Sequence, residues 1–281
     1  MIITKLQGGL GNQLFEYAFG RRLAIENQTE LKIDLASYLT DPQRSYELGV
    51  FNIDATIATP DEVGAFVGTT HAGKKIKRLV GHYNLNNYIQ EPHFAFWPKA
   101  LSTKSPAYLE GYWQSEKYFK PIETKLRQEL TLRTPLCGEA ETMRARISSS
   151  RSVSLHVRRK DYIDSQFLEL TPEYYQKAMG RIRSAEAEPS YFVFSDDVSW
   201  ARQNLALPTS TVFVSTLGLR NYEELFLMSY CKYHIVANSS FSWWGAWLDP
   251  NPHKLIVAPK RWFISDVHDT KDLVPPQWFT I

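Results

Sequence analysis

Two α/β domains, each built around a mostly parallel sheet, are what this sequence predicts. Three observations point there. The chain opens as strand, glycine turn, helix, strand, which is a βαβ unit. From about residue 152 onward, short β-branched runs alternate with helical stretches, the pattern of a parallel sheet with right-handed crossovers. At 281 residues the chain is long for one domain and comfortable for two.

The elements follow in order. Residues 2–6 are a β-branched strand entering Gly8-Gly9-Leu10-Gly11-Asn12-Gln13. From about Gln13 to Glu26 an apolar stripe at helical spacing predicts a helix, and residues 31–35 read as the next strand. Thr59-Pro60-Asp61-Glu62 starts a helix, with Thr as cap and Pro at the first position. Lys74, Lys75, Lys77 and Arg78 read as a solvated basic helix face. Tyr108-Leu109 leads into Gly111-Tyr112-Trp113-Gln114-Ser115, and a helix is expected over 116–130. Pro135, Gly138 and Ser148-Ser149-Ser150 interrupt the periodicity, which divides the chain into domains 1–148 and 149–281. In the second, strands are expected at 152–157, 191–194, 211–214, 234–237 and 255–258, with helices at 172–184 and 222–230.

Composition excludes several classes. A net charge of +2 gives no case for nucleic acid or a membrane as the main partner, beyond peripheral contact. Two cysteines, Cys137 and Cys231, without a Cys/His cluster argue against structural zinc or a disulfide framework and fit a reducing cytoplasm. The amino terminus lacks a signal-peptide pattern.

The polar loops carry the chemistry. In a parallel sheet, loops leaving the carboxyl ends of strands converge on one edge, where α/β folds bind ligands. Three such loops fall in the second half: His156-Val157-Arg158-Arg159-Lys160-Asp161, Ser195-Asp196-Asp197, and Asn238-Ser239-Ser240-Phe241. Arginine presents a planar fork of donors that matches phosphate oxygens. Serines at a helix start add hydroxyls and N–H groups, as a phosphate site or as a helix cap. Adjacent aspartates on an extended chain point apart, so Asp197 reads as a helix cap and Asp196 as a ligand contact rather than as a metal pair. Gly9 and Gly11 match the first two glycines of a dinucleotide fingerprint, but Leu14 stands where the third is required. What survives is a tight turn onto a helix start, with Asn12 able to bond a ligand.

Taken together, residues 8–15, 111–115, 155–161 and 238–247 resemble signatures of glycosyltransferase family 11, the α1,2-fucosyltransferases, in its bacterial form. The resemblance covers nearly the whole chain. It implies a GT-B fold, two Rossmann-like domains facing across a cleft. It implies a GDP-β-L-fucose donor and inverting transfer, with no metal or other cofactor, to the 2-hydroxyl of a galactoside. The acceptor would be an oligosaccharide with a terminal β-galactose, set against the N-terminal domain. By motif Arg158 binds the diphosphate, His156 supports the nucleotide, and Ser239 or Ser240 contacts phosphate. Gly9, Gly11, Asn12, Asp196, Asn238 and Phe241 complete the nucleotide set. Glu224 fills the place of an acidic residue that reads guanine through its N1–H and amino donors. The general base stays open: where some relatives have Glu this chain has Gln166, leaving Asp161, Asp164 or a base-free dissociative path. Rival readings are a nucleotide-sugar hydrolase, a protein O-fucosyltransferase, and a non-catalytic sugar-binding module using Trp113, Trp243, Trp244 and Trp247.

Overall fold

The structure is a computed structural model that describes residues 1–67, 87–162 and 165–281. The basic cluster of Lys74, Lys75, Lys77 and Arg78, the candidate base Asp164 and the side chain of Asp161 lie outside the described residues. The chain forms two compact units, residues 1–133 with 271–273 and residues 134–270 with 274–281.

In the first unit, β1 (Ile2–Lys5), β2 (Leu31–Asp34), β3 (Thr56–Ile57), β4 (Tyr88–Gln90) and β5 (Ala107–Glu110) form a parallel sheet in the order β3-β2-β1-β5-β4. Helix α1 (Leu10–Glu26) follows β1 and is buried along most of its length. That fits its weak amphipathicity, because a helix covered on most sides has no need of a polar face. Helix α2 (Pro60–Val67) starts where Thr59 predicts: Glu62 N–H donates to Thr59 Oγ1 at 3.3 Å, and Thr59 N–H to Glu62 Oε2 at 2.9 Å. This reciprocal pair is a capping box.

The helix expected over 116–130 is broken. Residues Glu116–Tyr118 and Lys120–Ile122 form separate 3-10 turns, and α3 runs only over Glu123–Glu129. Pro121 explains the break, since it has no N–H to donate and its ring clashes with the preceding turn. The short strands β3 and β4 carry too few residues to show a period, and the sequence reading passed over both.

The second unit holds β6 (Ser152–Val157), β7 (Ser190–Ser195), β8 (Val212–Phe213), β9 (Tyr233–Ile235), β10 (Leu255–Ala258) and β11 (Phe279–Thr280), all parallel in the order β11-β10-β9-β6-β7-β8. Its helices are α4 (Gly138–Ser148), α5 (Pro172–Arg183), α6 (Val198–Asn204), α7 (Asn221–Ser229) and α8 (Ser240–Leu248). The division at 133/134 differs from the sequence-based 148/149. The polar run Ser148-Ser149-Ser150, which interrupts the periodicity in sequence, is the end of α4 and its cap. The apolar face of that helix, Met143 and Ile147, is buried with Phe192, Phe194, Leu227 and Met228 of the second unit. A second cluster covers the opposite face, joining Val153, Leu155 and Val193 to Tyr175, Met179 and Ile182 of α5.

Helices α7 and α8 lie in close contact at Gly245, where a Cβ would fall 2.8 Å from Met228 Cβ. The neighbour is the root of a side chain, so it cannot simply swing away. Gly245→Val is therefore expected to cost about 1–3 kcal/mol by overpacking. An unchanged midpoint in a denaturant melt would contradict this contact. Among the described residues, no helix is long and apolar enough to cross a membrane.

Candidate functional site

The second sheet reverses its strand order beside β6. The chain steps outward through β7 and β8, then returns to lay β9 on the other side of β6. Ligands of open α/β sheets bind outside the carboxyl ends of strands at such a switch point. The loops that leave β6 and β9 are the arginine loop, residues 158–162, and the serine loop, residues 236–239. Sequence reasoning chose these loops, and the topology brings them together. Tyr162 hydroxyl donates to the Asn238 carbonyl at 2.6 Å, so the two are joined directly.

The arginine loop is held by Asp196. Register explains why: Val157 pairs with Ser195 across β6 and β7, so Asp196 leaves its strand level with Arg158. Its carboxylate accepts from Arg159 N–H at 2.9 Å and Lys160 N–H at 3.1 Å, and lies 3.3 Å from Arg158 Nε. Asp196, expected from the sequence as a ligand contact, thus also holds the arginine loop. Its neighbour Asp197 caps α6, accepting from Trp200 N–H at 3.0 Å.

The two arginines have separate surroundings. Arg159 lies over the Trp200 ring at 4.2 Å and pairs with Glu169 at 2.7 Å. Its fork is engaged within the fold. Arg158 is anchored through Nε by Asp196, and its side chain is 25% exposed. A guanidinium is a planar fork of donors that suits an anion.

His156 is buried at the end of β6, its ring 5.9 Å from that of Phe241. Burial first, and then the neighbouring Arg158 charge, push its pKa down to about 3. The imidazole is therefore neutral at physiological pH, and it can donate or accept a hydrogen bond but adds no charge. Among the described residues its Nδ1 is buried without a hydrogen-bond partner. A buried polar atom left unpaired costs free energy unless something satisfies it, which makes Nδ1 a place for a ligand group.

Asn238 supports the loop as well as facing the site. Its Nδ2 donates to the carbonyls of Leu168 and Trp262, both at 2.8 Å, while Oδ1 has no hydrogen-bond partner among the described residues. Ser239 occupies the cap position of α8 but makes no capping hydrogen bond through its side chain. The capping alternative for Ser239 therefore does not account for its hydroxyl. Ser242 takes part in the loop instead, accepting from Ala237 N–H at 3.2 Å. Ser240 and Phe241 begin α8 itself.

Glu224 lies on α7. Its Oε2 accepts from Ser215 Oγ at 3.0 Å, and Ser215 Oγ accepts from Ser195 N–H at 2.9 Å. Burial pushes the Glu224 carboxyl up to about 7, against the opposing effect of the Ser215 hydrogen bond. Sequence reasoning missed Ser215 and Tyr162. Ser215 stands in no glycine-rich or charged run, and Tyr162 follows the charged run 158–161 with its role shown only by its bond to Asn238.

In the first unit the glycine turn is built for close approach. Gly8 has φ +71°, and a Cβ there would meet Asn12 Nδ2 at 2.6 Å. Gln13 is fully buried and pins the turn, donating to the carbonyls of Gly8 and Ser45 and accepting from Glu47 N–H. Asn12 Oδ1 accepts from Gln114 Nε2 at 2.8 Å, which joins the β1 and β5 loops. The β5 loop is shaped by Glu91, which accepts from Tyr112 N–H at 2.7 Å and Trp113 N–H at 3.0 Å. Gly9 is the cap residue of α1 and Gly11 lies in its first turn.

The tryptophans offered by the sequence as a sugar platform are core residues. Trp113, Trp243 and Trp244 have no exposed surface and Trp247 has 2%, so none presents a face to a sugar.

This arrangement, an anchored arginine, a neutral histidine and a serine helix start at a switch point, suits a phosphorylated ligand. The family model of glycosyl transferase family 11 matches residues 1–281. The chain belongs to glycosyltransferase family 11. Within that family it is similar to an Escherichia coli protein named alpha-1,2-colitosyltransferase, at 31% identity over 100% of this chain and 99% of the relative. It is similar to the same degree, 31%, to the Escherichia coli O-antigen biosynthesis glycosyltransferase WbnK, over 92% of this chain and 93% of that one. Among solved structures, Arabidopsis thaliana FUT1 in complex with GDP matches with a TM-score of 0.52 at 11% identity, covering 91% of this chain and 69% of that one. Two parallel α/β sheets with this likeness make the family 11 chain a GT-B glycosyltransferase.

Proposed function

We propose that this family 11 enzyme transfers a 6-deoxy-L-hexose, L-fucose in the first instance, from a GDP-β-linked donor to the 2-hydroxyl of a galactoside, inverting to an α1,2 linkage. The observation that carries the reading is the joining of the arginine loop to the serine loop at the β6/β9 switch point, through the Tyr162 hydroxyl and the Asn238 carbonyl, an arrangement that suits a diphosphate and that a lectin does not need. In the reaction the acceptor oxygen forms a bond to the anomeric carbon as the bond from that carbon to the β-phosphate oxygen breaks. GDP leaves with the bonding electron pair, and the hydroxyl proton passes to a carboxylate such as Asp161 or to solvent. Arg158 faces the negative charge that grows on the departing phosphate, and donors aimed at developing charge lower the barrier. Arg158, Ser239 and the start of α8 supply that stabilisation in this account, without a resident metal.

A second donor has a specific observation in its favour. The whole-length similarity to a protein named for colitose transfer supports GDP-colitose, whose sugar is the 3-deoxy counterpart of fucose. Both donors share the GDP that the second unit would hold, and they differ in one sugar hydroxyl.

Incubation with GDP-fucose and with GDP-colitose in parallel tests this, using β-galactose-terminated acceptors with and without chelator, followed by linkage analysis by NMR. The expected product carries an α1,2-linked deoxysugar, and its yield is unchanged by chelator. Release of free sugar at the same rate with and without acceptor would establish a hydrolase instead. Strict dependence on added metal would overturn the metal-free account.

A further inference from the structure

We infer that Ser215 is a positioning residue for base recognition: its hydroxyl, oriented by the Ser195 N–H, holds the Glu224 carboxylate ready to accept the donors of guanine. The inference rests on Glu224 being the guanine contact of the donor site. Ser215 lies in the 3-10 turn Val214–Thr216 that follows β8, a part of the chain no sequence motif covers.

The direction of the hydrogen bonds carries the argument. A backbone N–H can only donate, so the bond from Ser195 N–H to Ser215 Oγ at 2.9 Å occupies a hydroxyl lone pair. The single hydroxyl proton is then directed at Glu224 Oε2, 3.0 Å away. A group that donates to a carboxylate favours its charged form. The remaining lone pairs, those of Oε1 and one of Oε2, match the paired N1–H and amino donors on one edge of guanine. Ser195 closes the circuit, because its own Oγ accepts from Asp197 N–H at 2.9 Å. The base-reading carboxylate is thereby tied to the edge of β7, the same edge from which Asp196 holds the arginine loop.

The charged groups around Glu224 leave this role to Ser215. On its own helix, Glu223 accepts from Arg220 N–H. On α4, Arg144 is paired with Glu141. On the β7 edge, Asp196 is paired with Arg158 and Asp197 caps α6. Helix α8 carries no charged side chain. The two influences on the Glu224 carboxyl are burial, which raises it, and the Ser215 hydroxyl, which opposes burial. Loss of that hydroxyl leaves burial unopposed and shifts the carboxyl further toward its protonated form. A protonated carboxyl turns one acceptor into a donor and opposes the guanine edge.

The test is calorimetric titration of the full chain with GDP, and with inosine diphosphate, which lacks the amino group, from pH 6 to 8.5. In wild type, GDP affinity should fall as pH drops through about 7. Ser215→Ala should move that fall upward by roughly one pH unit, giving about five- to tenfold weaker binding near pH 6.5–7 that recovers toward pH 8.5. Ser215→Thr should restore the wild-type profile. Ser215→Cys, a weak donor of similar size, should fall between, and it serves if the alanine variant does not fold. A Ser215→Ala curve coincident with wild type, or weaker by one factor at every pH, would overturn the inference. Glu224→Gln tests the underlying reading separately: it should flatten the pH profile and abolish preference for GDP over inosine diphosphate. A Glu224→Gln variant that binds GDP like wild type would remove Glu224 from the guanine site, and Ser215 with it.

Discussion

Arg158→Ala is expected to reduce kcat/KM for transfer by tens- to thousands-fold while leaving the melting temperature close to wild type. Removing one partner of a desolvated charge pair costs about 2–5 kcal/mol, and that range converts to this loss of rate if the contact strengthens in the transition state. The fold should survive, because Asp196 still takes the N–H groups of Arg159 and Lys160 and so still shapes the loop. Arg159→Ala is the matched control. Its guanidinium is engaged with Trp200 and Glu169, so it should cost stability before activity. Steady-state kinetics on both variants decide the matter. Equal loss in the two would mean that the loop, not one arginine, is the functional unit, and near-wild-type turnover in Arg158→Ala would remove it from the reaction.

Glu129→Ala is expected to destabilise the first unit by up to about 3 kcal/mol, because it removes the buried partner of Arg21 and leaves that arginine only the exposed Asp54, 2.5 Å from Nη2. Glu129 is buried and accepts from Tyr17 hydroxyl at 2.5 Å, from Arg21 Nε at 3.0 Å and from Arg21 Nη2 at 2.8 Å. These contacts tie α1 to α3. Burial alone would raise the Glu129 pKa, but the hydrogen bonds from Arg21 and Tyr17 outweigh it and hold the carboxyl below its usual range. A folded-state pKa below the unfolded one gives stability that is present above the unfolded value, about 4.3. That stability is lost as pH falls through the folded value. The stability difference between wild type and Glu129→Gln should therefore shrink in acid. Denaturant melts at pH 7 and pH 3 measure it, and a difference that grows in acid would contradict the pairing.

Much of the fold is legible in the sequence because a parallel sheet advertises itself. The strand Ser152–Val157 is buried at every position although Ser152, Ser154 and His156 alternate with Val153, Leu155 and Val157, because a parallel strand is covered on both faces. The site was legible as three polar loops, since strand ends in such a sheet must converge. What stayed hidden were contacts made across strands. Asp196 stands well away from Arg158 in sequence, and only the register that sets Ser195 beside Val157 turns it into the holder of the loop. Ser215 was hidden for the same reason, lying on a two-residue strand's exit turn with its partners on β7 and α7. The tryptophans misled in the opposite direction: they are sugar-compatible residues whose positions on α8 and after β5 face the core.

The central claim, that the β6/β9 switch point of the second unit binds the GDP of the donor, is tested most directly by calorimetric titration of wild type and Arg158→Ala with GDP and with ADP. Wild type should bind GDP well in preference to ADP. Arg158→Ala should weaken GDP binding at least tenfold while keeping the preference for guanine. GDP binding of equal strength in the two proteins, or no preference between GDP and ADP in wild type, would contradict it.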